Sequence, residues 1–406
     1  MSDRHLVLVG LNYTPRRGTG DKNFWADLVP ALAPDLDRIS IVSVLRGATT
    51  REHVTLDGCE IETRYVDAAL LGSIRMPRVG ARSGGPRGGS YRRMQGLLDK
   101  QLVVRRVMAE VSGILRDHPG QAVHLMDNFG PANRFIARAG RRLGARTSVT
   151  ATGYERRGRL FYDWFLSLSY AGPEIRVVAQ SYRLEQRLGE LGVGARRLTR
   201  IPWGVRVDGR AGDEVRKAIR TRLGVPLDRP LFLWAGFIQQ VREPDFHAAF
   251  RLATEARDRG LDATFLFAFK PETFRSEYAG LHRPDLGIHV MATPVELFAD
   301  VRAASDILFS PIINRNSIVA PPLTWIESMG AGLPVLTTDV PGADELVVNG
   351  TTGYLARDEA ELLEKLFALR DEHARMQEAC RAKVAEAYNL EDIQRAYLKF
   401  WFGDAT

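Results

Sequence analysis

Cysteine is nearly missing from this chain. Cys59 and Cys380 are the only two in 406 residues. They stand too far apart for a disulfide framework or a zinc spacing, so a reducing cytoplasm is expected. Nowhere do 18 apolar residues run together, which excludes a membrane-crossing helix. The opening residues read as a strand, without the basic-then-apolar pattern of a signal segment. No cluster of His and Asp stands at metal-ligand spacing, so no obligatory metal or other cofactor is expected. No repeat recurs at a fixed period. One stretch lacks acid altogether: residues 72–96 hold six arginines (75, 78, 82, 87, 92 and 93), seven glycines and no Asp or Glu. Such a composition buries no core and predicts a mobile loop. Three uses of that loop stay open: a solvated insertion, a lid or anion clamp, or a membrane contact. Glycine density argues against an amphipathic anchor, which favours the lid over the membrane.

What is present describes a globular protein, with 45% hydrophobic and 26% charged residues and enough chain for two domains. The net charge of +7 favours an anionic partner. A nucleotide diphosphate or an acidic surface fits. No zinc finger or RNA-binding motif accompanies the arginines, so nucleic acid is not expected. Leu6–Val9, Ile39–Val44, Ala122–Met126, Thr147–Thr150 and Arg176–Ser181 read as strands of a first half. Leu231–Trp234, Thr264–Phe269 and Ile288–Met291 do so in a second. Helical spacing fills the intervals, including 97–117, 133–143, 214–223, 295–301, 359–369, 372–388 and 390–402. After the first strand, Gly18-Thr19-Gly20 precedes a helix; it is either a phosphate cradle or a plain connection.

The densest signal runs from Ser305 to Leu355. A short apolar strand, Ile307–Phe309, ends at Ser310-Pro311. Pro321, Pro322 and Thr324 open a helix that Gly330 and Gly332 close, and Leu333–Thr338 forms the next strand. Strand, helix, strand in this order predicts a parallel sheet with ligands outside its carboxyl ends.

From Ile326 to Leu355 this stretch resembles the donor segment of the retaining family-4 glycosyltransferases. The resemblance implies α/β GT-B architecture: two Rossmann-like domains, parallel sheets facing across a cleft, with a nucleotide-diphosphate sugar as donor. It divides the chain into an acceptor domain (1–205), a donor domain (206–388) and a terminal helix (389–406) that crosses back to the first. The turn between domains falls at Arg200–Asp208, similar to the family's Ile-Pro-Asn-Gly-Val-Asp. Donor contacts are implied at Gly18, Gly20, Gly236, Arg242, Lys270, Met291, Ser317, Leu323, Thr324 and Glu327. Acceptor contacts are implied at Arg16, Asn128 and Tyr154, and catalytic-site groups at Asp127 and Thr152. The chain departs from the family pattern in three places: Thr152 stands where many members have His, Phe237 replaces an Arg, and Val319 replaces the first Glu of a Glu-x7-Glu pair.

Glu327 has two readings. Thr324-x-x-Glu327 spells a capping box, in which the carboxylate serves its own helix. In the resembled family the same Glu takes the ribose hydroxyls of the donor. The functional expectation is a retaining, metal-independent transfer of a sugar to a small-molecule or lipid acceptor. The alternatives are a nucleotide-sugar binder without turnover, and a relative that forms a non-glycosidic bond.

Overall fold

The structure is a computed structural model that describes residues 4–14, 21–45, 51–67, 88–151, 160–170, 172, 175–207, 213–236, 243–294, 297–314, 318 and 320–403. In the first domain the strands are β1 (His5–Leu11), β2 (Arg38–Leu45), β3 (Arg51–Leu56), β4 (Cys59–Asp67), β5 (Ala122–Leu125), β6 (Arg146–Thr150), β7 (Ile175–Ala179) and β8 (Leu198–Arg200). Its helices are α1 (Asp21–Leu32), α2 (Gly88–Asp117), α3 (Asn133–Arg142), α4 (Leu160–Tyr170) and α5 (Tyr182–Glu190). The second domain carries β9 (Leu231–Gly236), β10 (Thr264–Phe269), β11 (Ile288–Ala292), β12 (Ile307–Phe309), β13 (Val335–Thr338) and β14 (Gly353–Ala356). Its helices are α6 (Asp213–Leu223), α7 (Glu243–Asp258), α8 (Ser276–Ala279), α9 (Phe298–Ala304), α10 (Leu323–Gly330) and α11 (Glu359–Ala387), and the chain closes with α12 (Leu390–Phe402).

The first sheet runs β3-β4-β2-β1-β5-β6-β7-β8 and the second β11-β10-β9-β12-β13-β14. Every pairing is parallel except β3 with β4. The two architectures are therefore Rossmann-like, as the resemblance implied. Both sheets are apolar along their central strands: Leu6, Val7, Leu8 and Val9 of β1 are fully buried, as are Leu231, Phe232 and Leu233 of β9. Continuous runs of this kind are what a sheet covered on both faces requires. The antiparallel exception is a two-residue hairpin. Asp57 (φ 48°) and Gly58 (φ 84°) both take the left-handed conformation, and the Asp-Gly pair is the sequence signal for that turn.

Three local expectations are corrected. Residues 88–96 are not loop: α2 starts at Gly88, and a helix already nucleated downstream extends without a second nucleation cost, although each glycine costs about 1 kcal/mol relative to alanine. The two helices expected at 359–369 and 372–388 are one, since nothing at Arg370-Asp371 breaks the turn. Thr324 is no N-cap: Pro322 holds that position with extended ψ, the helix begins at Leu323, and no side chain caps it. The capping box is thereby excluded. Of the helix expected over 295–301, residues 295 and 296 lie outside the described residues, and α9 runs on to Ala304.

The two domains meet where the chain crosses twice. Val205 N–H donates to Tyr388 C=O at 2.8 Å and Leu390 N–H to Val205 C=O at 2.9 Å, so the two crossing segments are zipped together. A Cβ at Gly204 would lie 3.0 Å from Ile393 Cβ and 3.1 Å from the Leu390 backbone, so the crossing is closely packed. Beyond it, α12 lays Leu390, Ile393, Tyr397, Phe400 and Trp401 into a core shared with Phe24, Trp25 and Leu28 of α1. Arg146 of β6 and Arg176 of β7 donate to the last carbonyls of α12, at Trp401 and Phe400. Cations placed there suit the negative end of the helix.

Candidate functional site

In each sheet the strand order reverses beside its first strand, between β1 and β5 and between β9 and β12. The crevices outside the carboxyl ends at these reversals are where open parallel sheets bind ligands.

In the first domain Asp127 stands just past β5. Its Oδ2 accepts the N–H of Leu11, at the end of β1, at 2.6 Å. The ammonium of Lys22, in the first turn of α1, lies 2.7 Å from both carboxylate oxygens. Asp127 thus bridges the two strands of the reversal and the helix that follows the glycine loop. Asn128 turns inward: its Oδ1 accepts from Gly130 N–H and Asn133 Nδ2, and its Nδ2 donates to the Tyr170 hydroxyl at 3.0 Å. Arg16, Gly18, Gly20, Thr152 and Tyr154 lie outside the described residues.

In the second domain Gly236 closes β9, Lys270 follows β10 and Met291 lies near the end of β11. Lys270 is buried, and burial lowers its pKa against the opposing pull of the carboxylates of Glu272 and Glu327. Glu327 lies in the second turn of α10, and Arg302 of α9 donates to its Oε2 at 2.8 Å. These two side chains are 18% and 14% exposed. Oε1 accepts no hydrogen bond among the described residues. Leu323 and Thr324 form the first turn of α10, whose N–H groups have no side-chain cap and offer donors to an anion. Behind them Trp325 Nε1 donates to Ser310 Oγ at 3.0 Å and Ile312 N–H to Thr338 Oγ1 at 2.8 Å, holding the segment after β12. Thr293, just past β11, buries a hydroxyl without a partner among the described residues. Arg242 and Ser317 lie outside the described residues, with Phe237 and Val319.

Lys22 and Arg302 are absent from the expected site. Lys22 follows the glycine loop by two residues, a detectable signal; Arg302 has none, because only packing brings α9 to α10. The expectation of no metal takes the chain to lack Asp-X-Asp, and this is corrected: it has one, Asp35-Leu36-Asp37. It sits at the amino end of β2, where Asp37 accepts Arg4 N–H and Asp35 accepts Gln394 Nε2 of α12, both at 2.7 Å. Among the described residues no three potential metal ligands converge, and no helix is long and apolar enough to cross a membrane.

Residues 230–372 match the family model for glycosyl transferases group 1. A D-inositol 3-phosphate glycosyltransferase of Nocardia farcinica is 31% identical over 222 residues, which are 50% of this chain and 47% of that protein. The chain thus spans about half the length of this curated relative. The fold extends further. A glycosyltransferase of Rickettsia africae covers 99% of this chain and 98% of its own at TM-score 0.68 and 17% identity. The Anabaena protein Alr3699/HepE, solved in complex with UDP, covers 98% and 99% at TM-score 0.67 and 13% identity. Residues 230–372 thus carry the pattern of the group 1 glycosyl transferases, and the chain as a whole shares the GT-B fold of the solved glycosyltransferases.

Proposed function

We propose that the protein transfers a sugar from a nucleotide-diphosphate donor to a small-molecule or lipid acceptor, with retention at the anomeric carbon and no metal. The acceptor domain would be 1–205, the donor domain 206–388, and 389–406 the return helix. The observation that carries this reading is Glu327: a carboxylate at the carboxyl edge of the second sheet, tied by one oxygen and open at the other. That oxygen suits the ribose hydroxyls. The uncapped first turn of α10 and the Lys270 ammonium suit the diphosphate, so charge developing on the leaving group meets fixed donors. Gly18, Gly20, Gly236, Arg242, Met291 and Ser317 complete the donor contacts, with Arg16, Asn128 and Tyr154 on the acceptor side. Asp127 and Thr152 border the transferred carbon. The acceptor lid expected over 72–96 lies, for residues 72–87, outside the described residues. The reaction would take place in the cytoplasm.

Asp127 also supports the second reading, binding without turnover: with Lys22 and the Leu11 N–H engaged, this carboxylate is occupied within the chain. A thermal-shift screen of UDP-, GDP- and ADP-sugars identifies the donor, because a ligand of the folded state alone raises Tm. Turnover of that donor in EDTA, with the product's anomeric configuration read by NMR, then tests the reaction. Retained configuration and full activity in EDTA are expected. Activity lost in EDTA and restored by magnesium or manganese would refute metal independence. Binding with neither hydrolysis nor transfer would leave the binder.

A further inference from the structure

We propose that Arg302 is a positioning residue of the donor site: it holds Glu327 so that Oε1 faces the nucleotide ribose, and thereby sets the preference for a nucleotide that carries 2′- and 3′-hydroxyls. This rests on the reading of Glu327 given above. A glutamate has three side-chain torsions, and fixing them on binding costs entropy. Arg302 supplies the constraint in advance. Its contact is a single hydrogen bond of 2.8 Å to Oε2, not a two-pronged fork, so Oε1 remains available.

The anchor itself is held. Arg302 lies in the last turn of α9, where the helix favours a cation. The end of that helix is gripped from α6: Arg216 donates to the Ala304 and Ser305 carbonyls, and Arg220, fully buried, donates to Ala304 C=O at 2.9 Å. Glu327 is thus located by a chain of contacts running from the core of the domain, through α9, to the cleft. Both side chains of the pair are less than one-fifth exposed, so solvent screens it less than a surface pair. Lys270 adds a second positive field on the same carboxylate.

Titration calorimetry tests this with UDP, GDP and ADP and the 2′,3′-dideoxy form of whichever binds tightest. The proteins are wild type, Glu327→Gln, Arg302→Met, Arg302→Lys and the double variant Glu327→Gln/Arg302→Met. Wild type is expected to prefer the ribose form by about tenfold or more, the scale of a hydrogen bond to a charged group. Arg302→Met should bring that ratio close to one, Arg302→Lys should restore part of it, and the double variant should be no worse than Arg302→Met. A ratio unchanged in Arg302→Met, with both nucleotides weakened alike or Tm alone reduced, overturns the positioning role. Should the Met variant not fold, an unchanged ratio in Arg302→Lys overturns it equally. A ratio unchanged in Glu327→Gln, or no binding of any nucleotide by wild type, instead overturns the donor reading of Glu327 itself.

Discussion

His124 shows how far a residue's chemistry depends on its surroundings. Its ring nitrogens meet Ser148 Oγ at 2.8 Å and Thr150 Oγ1 at 2.9 Å, and the rings of Trp25, Tyr397 and Trp401 enclose it. Burial lowers its pKa to about 3, and burial likewise lowers His5 to about 4. Both imidazoles bind fewer protons folded than unfolded. Their contribution to stability is therefore complete above about pH 6.5 and is lost as pH falls toward those lowered values. Between about pH 6.5 and about pH 5 each costs roughly 2 kcal/mol. Urea midpoints measured across that window should fall steeply for wild type and less steeply for His124→Gln. Equal slopes would show that His124 is solvated. The sequence placed this histidine on a strand; that residues from the far end of the chain would cover it had no local signature.

At the scale of elements, Arg220 joins α6 to the second sheet. Besides Ala304, its guanidinium donates to the carbonyls of Pro226, Leu227 and Arg229 and to Asp306, which also accepts Leu231 N–H at 2.8 Å. Arg220→Leu would take the donor from four carbonyls and remove one of the two arginines on buried Asp306, which keeps Arg216. The expected cost is about 1–3 kcal/mol, the scale of polar groups left unpaired. It should be measured as a fall in the denaturation midpoint, with any loss of ribose preference smaller than for Arg302→Met. An arginine at 0% exposure reads from sequence as a surface residue of an amphipathic helix, so this network was not legible. The extension of α2 back to Gly88 was missed for a related reason: composition described 72–96 as one segment, while helix elongation is decided turn by turn.

For the whole molecule, the question is what sets the two domains against each other. Beyond the zipped crossing and α12, a further polar contact joins them among the described residues. Glu345, in the turn after β13, accepts Tyr182 N–H at 2.8 Å and Arg183 N–H at 3.0 Å, so a carboxylate of the second domain caps the first turn of α5 in the first. Glu345→Ala removes both acceptors. A loss of about 1 kcal/mol is expected, the scale of a helix N-cap, with a larger radius of gyration by X-ray scattering. An unchanged radius would assign the domain arrangement to the crossing and α12 alone. Trp401→Ala should cost more, about 3–5 kcal/mol, because it opens a cavity between α12 and the sheet of the first domain.

The sequence by itself determined the fold class, the central strands of both sheets, the α10 segment and the bounds of α12, Leu390–Phe402. Those follow from local rules: continuous apolar runs for covered strands, proline and glycine at helix ends, and helical spacing of Ile393, Tyr397, Phe400 and Trp401. The tertiary structure alone decided what the polar groups do. It gave Glu327 an arginine from another helix and joined Asp127 to Lys22 across 105 positions. It turned Asn128 toward its own loop and set Glu345 on the neighbouring domain. Apolar periodicity is written along the chain because burial follows from the element a residue sits in. The partner of a charge depends on which elements meet, and in two parallel sheets joined by crossovers those elements are distant in sequence.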